Sequence, residues 1–185
     1  DSFVNTLADY FRQQGATVTT LRFGFPETVL DDLAPDLVVL SPGPGRPTDF
    51  DTQSLLKAID ARGLPSFGVC LGLQAMVEHA GGELALLPYP QHGKPGRVQI
   101  SGGSVLAGLP QTFTAARYHS LHTTADLIGS GGFEITATTA DGVVMAIEDP
   151  ARRRWAVQFH PESILTAAGG SGHRIIANVL RLARS

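Results

Sequence analysis

Cysteine is nearly absent from this chain, whose 185 residues include one, Cys70. A single thiol excludes an internal disulfide framework and suits a reducing compartment, so a cytoplasmic setting is expected. No apolar run approaches the roughly 18 residues that span a bilayer. No basic excess is present either. Lys+Arg 14 against Asp+Glu 17 leave a net charge of −3, which argues against nucleic acid as a partner. Repeats, low-complexity tracts and linkers are also missing. One domain with a substantial core is expected over residues 1–185. What is plentiful is glycine and proline, 21 and 12, which fits many tight strand–helix turns.

The chain starts with Asp1 rather than Met. Ser2 reads as the N-cap of a helix that carries Phe3, Leu7, Tyr10 and Phe11 on one face. Wound α/β domains usually open with a strand. A first strand is therefore expected to be missing here, and further sequence to precede the domain in a longer parent chain.

Residues 17–23, with three Thr, read as a strand, and 37–40 as a short apolar strand of a covered parallel sheet. Helix is predicted over 52–62, strand over 65–69, and helix over 71–79. This alternation predicts an α/β fold: a mostly parallel wound sheet flanked by helices. Later segments (97–100, 112–118, 133–138, 143–147 and 154–160) read as strands joined by turns. Some pairs should be antiparallel and form a small side sheet. A helix over 172–182 closes the chain, with Ile175, Ile176, Val179 and Leu180 inward.

Cys70 lies within Gly68-Val69-Cys70-Leu71-Gly72, between the predicted strand and helix. A side chain there sits on a sharp turn, and small residues two before and two after relieve crowding. That is the nucleophile-elbow pattern with sulfur in place of oxygen. The first N–H groups of the helix would face an anion forming beside the sulfur. Taken alone, a lone cysteine is most often a small buried hydrophobe.

Other segments add partners. In Phe159-His160-Pro161-Glu162, His160 ends a strand and Glu162 follows two residues on. In extended chain both side chains point to one side, as a base and its orienting carboxylate require. Pro161 biases His160 towards extended backbone. Taken alone, the tripeptide could be a surface turn. Ser41-Pro42-Gly43-Pro44-Gly45 follows the strand 37–40 and should emerge at the same sheet edge as Cys70. Gly43 N–H and Leu71 N–H are the expected oxyanion donors. His119 and His122 form an H-x-x-H pair without the companions that complete a zinc site, so no metal is expected. His79 and His173 are read as solvated helix residues, and His92 as a surface loop residue.

Together these segments resemble the class I (triad) glutamine amidotransferases. The matching pieces, in the family's order, are Asp1-Ser2-Phe3, Ser41 to Gly45, Gly68 to Gln74, His92-Gly93-Lys94, Tyr118-His119-Ser120-Leu121 and Phe159 to Thr166. The ending and the His-Gly-Lys loop look most like the glutaminase part of anthranilate synthase. The glutaminases of aminodeoxychorismate synthase and of phenazine-type synthases are close alternatives. The resemblance implies that Cys70, His160 and Glu162 form the triad. It also implies that Gly43, Pro44, Gly45, Leu71, Gln74, Ser120 and Leu121 line a glutamine pocket. The family often has His where Leu73 stands, a variant that looks like fused synthase–glutaminase chains. The implied reaction releases ammonia from glutamine through a cysteinyl thioester and passes it to a chorismate-using synthase subunit or fused domain. The domain itself needs no cofactor, and Mg²⁺ would belong to the synthase partner. A γ-glutamyl hydrolase and a non-catalytic flavodoxin-like interaction domain are the remoter readings.

Overall fold

The computed structural model describes residues 2–185. Helix α1 (Ser2–Gln13) opens it, and a short α2 (Thr28–Leu33) precedes strand β1 (Val38–Leu40). Then follow α3 (Thr52–Ala61), β2 (Ser66–Val69), α4 (Leu71–His79), β3 (Ala85–Leu86), β4 (Lys94–Ile100), β5 (Thr112–Arg117) and β6 (Leu121–His122). Strands β7 (Glu134–Thr138), β8 (Val144–Asp149) and β9 (Arg154–Val157) lead to the closing helix α5 (Ser171–Arg184). No helix among the described residues is long and apolar enough to cross a membrane.

One seven-stranded sheet has the order β1-β2-β9-β8-β7-β4-β5. Strands β1, β2 and β9 are parallel, and the pairings from β9 outward to β5 are antiparallel. The antiparallel strands thus extend the parallel layer, and β3 with β6 makes the small separate antiparallel sheet. Period-2 alternation divides the core. Phe67, Val69, Trp155 and Val157 face one side with Leu7 and Phe11 of α1 and Ile175, Ile176 and Val179 of α5. Ala156 faces the other with Leu56 and Ile59 of α3 and Leu73 and Met76 of α4, joined by Val144 and Ile147, whose three-residue spacing accompanies the irregular β7–β8 register. The expected α/β sheet with flanking helices is therefore present.

Several sequence expectations need correction. Residues 17–23 form no strand. Val18 packs against the core, but its neighbours are exposed and no strand lies alongside to pair with them. β propensity yields a strand only where a ladder partner exists. Strand β9 stops at Val157, and the chain bends at Gln158 and Phe159. His79 is not solvated. It is half-buried, with Nδ1 2.9 Å from Gln53 Oε1 and Nε2 2.8 Å from Asp60 Oδ2. His173 also has company, stacked on Tyr10 at 4.1 Å. The expected capping role of the Ser2 side chain, like Asp1, lies outside the described residues.

The parallel block fixes where chemistry can gather. Leu40 is level with Gly68, and Val69 with Val157. The segments leaving β1, β2 and β9 therefore emerge side by side at one edge, which is where ligands bind in such sheets. The packing at this edge is close. A Cβ on Gly72 would overlap the Leu40 carbonyl oxygen, and one on Gly68 would lie 2.6 Å from the Gly72 carbonyl carbon. Neither obstacle is a flexible side chain. Gly72→Ala should therefore lower stability by about 3 kcal/mol or more, read from chemical denaturation. Gly102, whose Cβ would meet nothing within 4 Å, is the control, and Gly102→Ala should stay within about 0.5 kcal/mol. Equal stability of the two variants would show that the edge is not packed as described.

Candidate active site

Cys70 is the residue between β2 and α4, and its backbone is strained, with φ 55° and ψ −100°. Such a conformation persists in a residue with a Cβ only where its surroundings impose it. They do so here. The Cys70 N–H donates to the Val157 carbonyl at 2.8 Å, extending the β2–β9 ladder. Its carbonyl accepts from Gln74 N–H at 3.2 Å, the first bond of α4. The turn between those two bonds is tight because Gly68 and Gly72 let its two arms touch. The elbow read from the sequence is thus present, and the thiol is buried.

His160 arrives from the segment after β9. Its N–H donates to the Ala116 carbonyl at 3.1 Å. Its carbonyl accepts from Thr166 Oγ1 at 2.7 Å, and that hydroxyl oxygen accepts from Ala116 N–H at 2.9 Å. Thr166 therefore ties the His160 backbone to β5. The ring packs against Phe3 of α1, with centroids 4.6 Å apart, and Tyr118, at 5.1 Å, and those two rings also touch each other at 5.1 Å. Gly93, in the His-Gly-Lys loop, lies against the Tyr118 ring; a Cβ there would sit 3.2 Å from it.

His160 Nδ1 and Glu162 Oε1 are 2.7 Å apart, and both side chains are buried. The pair does not form in extended chain, as the spacing alone predicted. Pro161 and Glu162 lie in a turn, closed by Ser163 N–H donating to the His160 carbonyl at 3.2 Å. Proline's fixed φ suits such a turn as well as a strand. The backbone of α5 presses on this turn, since a Cβ on Gly172 would overlap the Pro161 carbonyl oxygen.

The electrostatics follow from this enclosure. Burial opposes a charge on His160. Its interactions with the Cys70 sulfur and Glu162 oppose that effect and win, so the imidazole pKa is pushed up to about 9. Nε2, the ring nitrogen not facing Glu162, is buried and makes no closed hydrogen bond among the described residues. The Cys70 sulfur thus acts on the imidazole without a closed hydrogen bond, as is common before substrate binds. His119 behaves oppositely, because burial lowers its pKa to about 4.

The remaining expected site residues lie around this centre. The Gly43 backbone is against Leu71, with a Cβ position 3.6 Å from Leu71 Cδ2. Pro44 and Gly45 follow at the surface. Ser120 and Leu121 stand beyond Tyr118, and the Leu121 carbonyl accepts from Gln74 Nε2 at 3.1 Å. Sequence reasoning missed Gln158, whose Nε2 donates to Cys70 Sγ at 3.6 Å, and Thr166. A polar residue beside the apolar positions of a core strand was the available signal for Gln158. The clefts near α5 and beside Trp155, about 470 and 270 Å³, lie away from Cys70. No cluster of three His, Cys, Asp or Glu able to hold a metal occurs among the described residues.

The raised pKa of His160 links pH to stability. Its contribution is complete below about pH 6.5, the free imidazole value, and is lost as pH rises through about 9. Removing the carboxylate in Glu162→Gln lowers the folded value and shrinks that contribution. The stability gap between wild type and Glu162→Gln, from denaturation curves, should be largest below pH 6.5 and narrow towards pH 9. A gap constant across that window would contradict the pairing.

Known proteins resemble this chain. The family description "Glutamine amidotransferase class-I" matches residues 1–181. An anthranilate synthase from Azospirillum brasilense is 55% identical over 97% of the chain, which spans only 24% of that protein's length. An anthranilate synthase component 2 from Haloferax volcanii is 39% identical, covering 97% of the chain and 91% of that protein. Among solved structures, a glutamine amidotransferase from Thermotoga maritima superposes with a TM-score of 0.70 at 16% identity, over 95% of this chain and 88% of that one, and so shares the fold. The chain belongs to the class I glutamine amidotransferases.

Proposed function

We propose that this domain hydrolyses glutamine to glutamate and ammonia, and that a chorismate-using synthase consumes the ammonia to make anthranilate. The observation that carries the chemistry is the strained Cys70 elbow beside a buried His160–Glu162 pair at 2.7 Å. Cys70 Sγ, its proton already held by His160, adds to the side-chain amide carbon of glutamine. Gly43 and Leu71 N–H groups hold the oxyanion. The C–N bond breaks, His160 returns the proton to the departing ammonia, and a glutamyl thioester remains. Water then loses a proton to His160 and adds to the thioester. The tetrahedral intermediate collapses, the sulfur leaves as thiolate beside the His160 imidazolium, and glutamate departs. Glu162 holds the ring and supports its charge in both halves.

Gly43, Pro44 and Gly45 would form one wall of the glutamine pocket and Ser120 and Leu121 the opposite wall. Gln74 serves that wall by holding the Leu121 carbonyl. The anthranilate assignment is supported by the two relatives bearing that name. The synthase would be a separate subunit or a domain of the same chain, would carry the Mg²⁺, and would share the cytoplasm with this domain.

Cys70→Ala should lose glutamine-dependent ammonia release by at least about 10³-fold while circular dichroism and denaturation midpoint stay close to wild type. Retained turnover would sink the nucleophile assignment. Supplying chorismate and the synthase partner should yield anthranilate; a 4-amino-4-deoxychorismate product would transfer the domain to the aminodeoxychorismate branch.

A further inference from the structure

We propose that Gln158 is an additional residue acting on the nucleophile, its amide N–H held on the Cys70 sulfur by a buried relay that begins at the Leu121 carbonyl. This rests on Cys70 being the nucleophile.

The polarity of the relay follows from which groups can donate. A backbone carbonyl only accepts. The Leu121 carbonyl accepts from Gln74 Nε2 at 3.1 Å, which fixes the Gln74 amide with its nitrogen inward. The same nitrogen lies 3.3 Å from Gln158, so Gln158 must present its oxygen there. With Oε1 committed to Gln74, Nε2 of Gln158 is turned to Cys70 Sγ at 3.6 Å. Flipping the Gln158 amide would set donor against donor, and flipping that of Gln74 acceptor against acceptor. No solvent relieves such a mismatch, because Gln158 is fully buried and Gln74 nearly so.

The anchor is fixed from its other side too. Arg117 Nε donates to His119 Nε2 at 3.2 Å, so His119 carries its proton on Nδ1. That nitrogen donates to the Leu121 carbonyl at 2.8 Å. The carbonyl oxygen thus accepts from His119 and Gln74 at once, with both lone pairs engaged. Arg117 fits because residue 96 is glycine; a Cβ there would overlap Arg117 Cδ.

An N–H aimed at sulfur favours the thiolate over the thiol. In this site it would complement the His160 imidazolium from a second direction. It would also link the state of the sulfur to the Ser120–Leu121 segment, one wall of the proposed pocket. Of the ionisable groups here, His160 acts on the sulfur, Glu162 and Tyr118 lie against His160, Tyr10 of α1 interacts with Glu162, and His119 interacts with His160, Arg117 and His122.

The test follows alkylation of Cys70 by iodoacetamide as a function of pH. The chain has one cysteine, so the signal has one source. Gln158→Met keeps the side-chain length and removes the amide. Its alkylation–pH profile should move to higher pH by about one unit. Gln74→Met leaves Gln158 in place but unoriented. It should move the profile in the same direction by less, and it is the variant to read if Gln158→Met does not fold. With the synthase partner present, kcat for glutamine should fall at least tenfold in Gln158→Met while KM changes less than threefold. Profiles of the folded variants superposing on wild type would overturn the relay. If Cys70→Ser is inactive in that case, the nucleophile assignment survives. If Cys70→Ser turns over glutamine, both fail.

Discussion

The active edge depends on one packing constraint, the contact of the Gly72 backbone with the Leu40 carbonyl at the ends of adjacent parallel strands. It forces α4 to start at once after β2, with Cys70 at φ 55° between them. A larger residue at 68 or 72 would push helix and strand apart and relax the elbow. Strain in the thiol's backbone is thus held by contacts of residues that perform no chemistry. The same register brings the segment after β9 alongside, so His160 and Glu162 arrive without a special connection.

Enclosure does the rest. His160 is packed against two rings, bound through its backbone to Ala116 and Thr166, and paired with Glu162. Each contact removes a degree of freedom that would otherwise have to be lost at the moment of reaction. Burial raises the stakes of every polar group here, which explains why the two glutamines and His119 have their donors and acceptors matched in order.

Much of this was legible in the sequence because it is written in local patterns. Gly68-Val69-Cys70-Leu71-Gly72 announced the elbow, since crowding at a strand–helix turn is decided by the nearest residues. The alternation of strand and helix gave the layer. Residues 17–23 misled because propensity is local and pairing is not. Helix α2 escaped notice as six residues with no side-chain cap, and β3 and β6 as two residues each. The His160–Glu162 pair was anticipated, but through extended chain rather than the turn that makes it. For Gln158 the sequence offers only a polar residue beside apolar core positions, because its role lies in contacts with residues 84 and 88 positions away.

The central claim is that Cys70 forms a covalent bond with the substrate carbon. Mixing the chain and its synthase partner with glutamine, quenching in acid and sequencing the peptides by mass spectrometry tests it most directly. The account predicts a glutamyl adduct on the peptide containing Cys70, absent in Cys70→Ser. Glutamine turnover with the adduct on another residue, or with Cys70 unmodified under conditions where deacylation limits the rate, would contradict it.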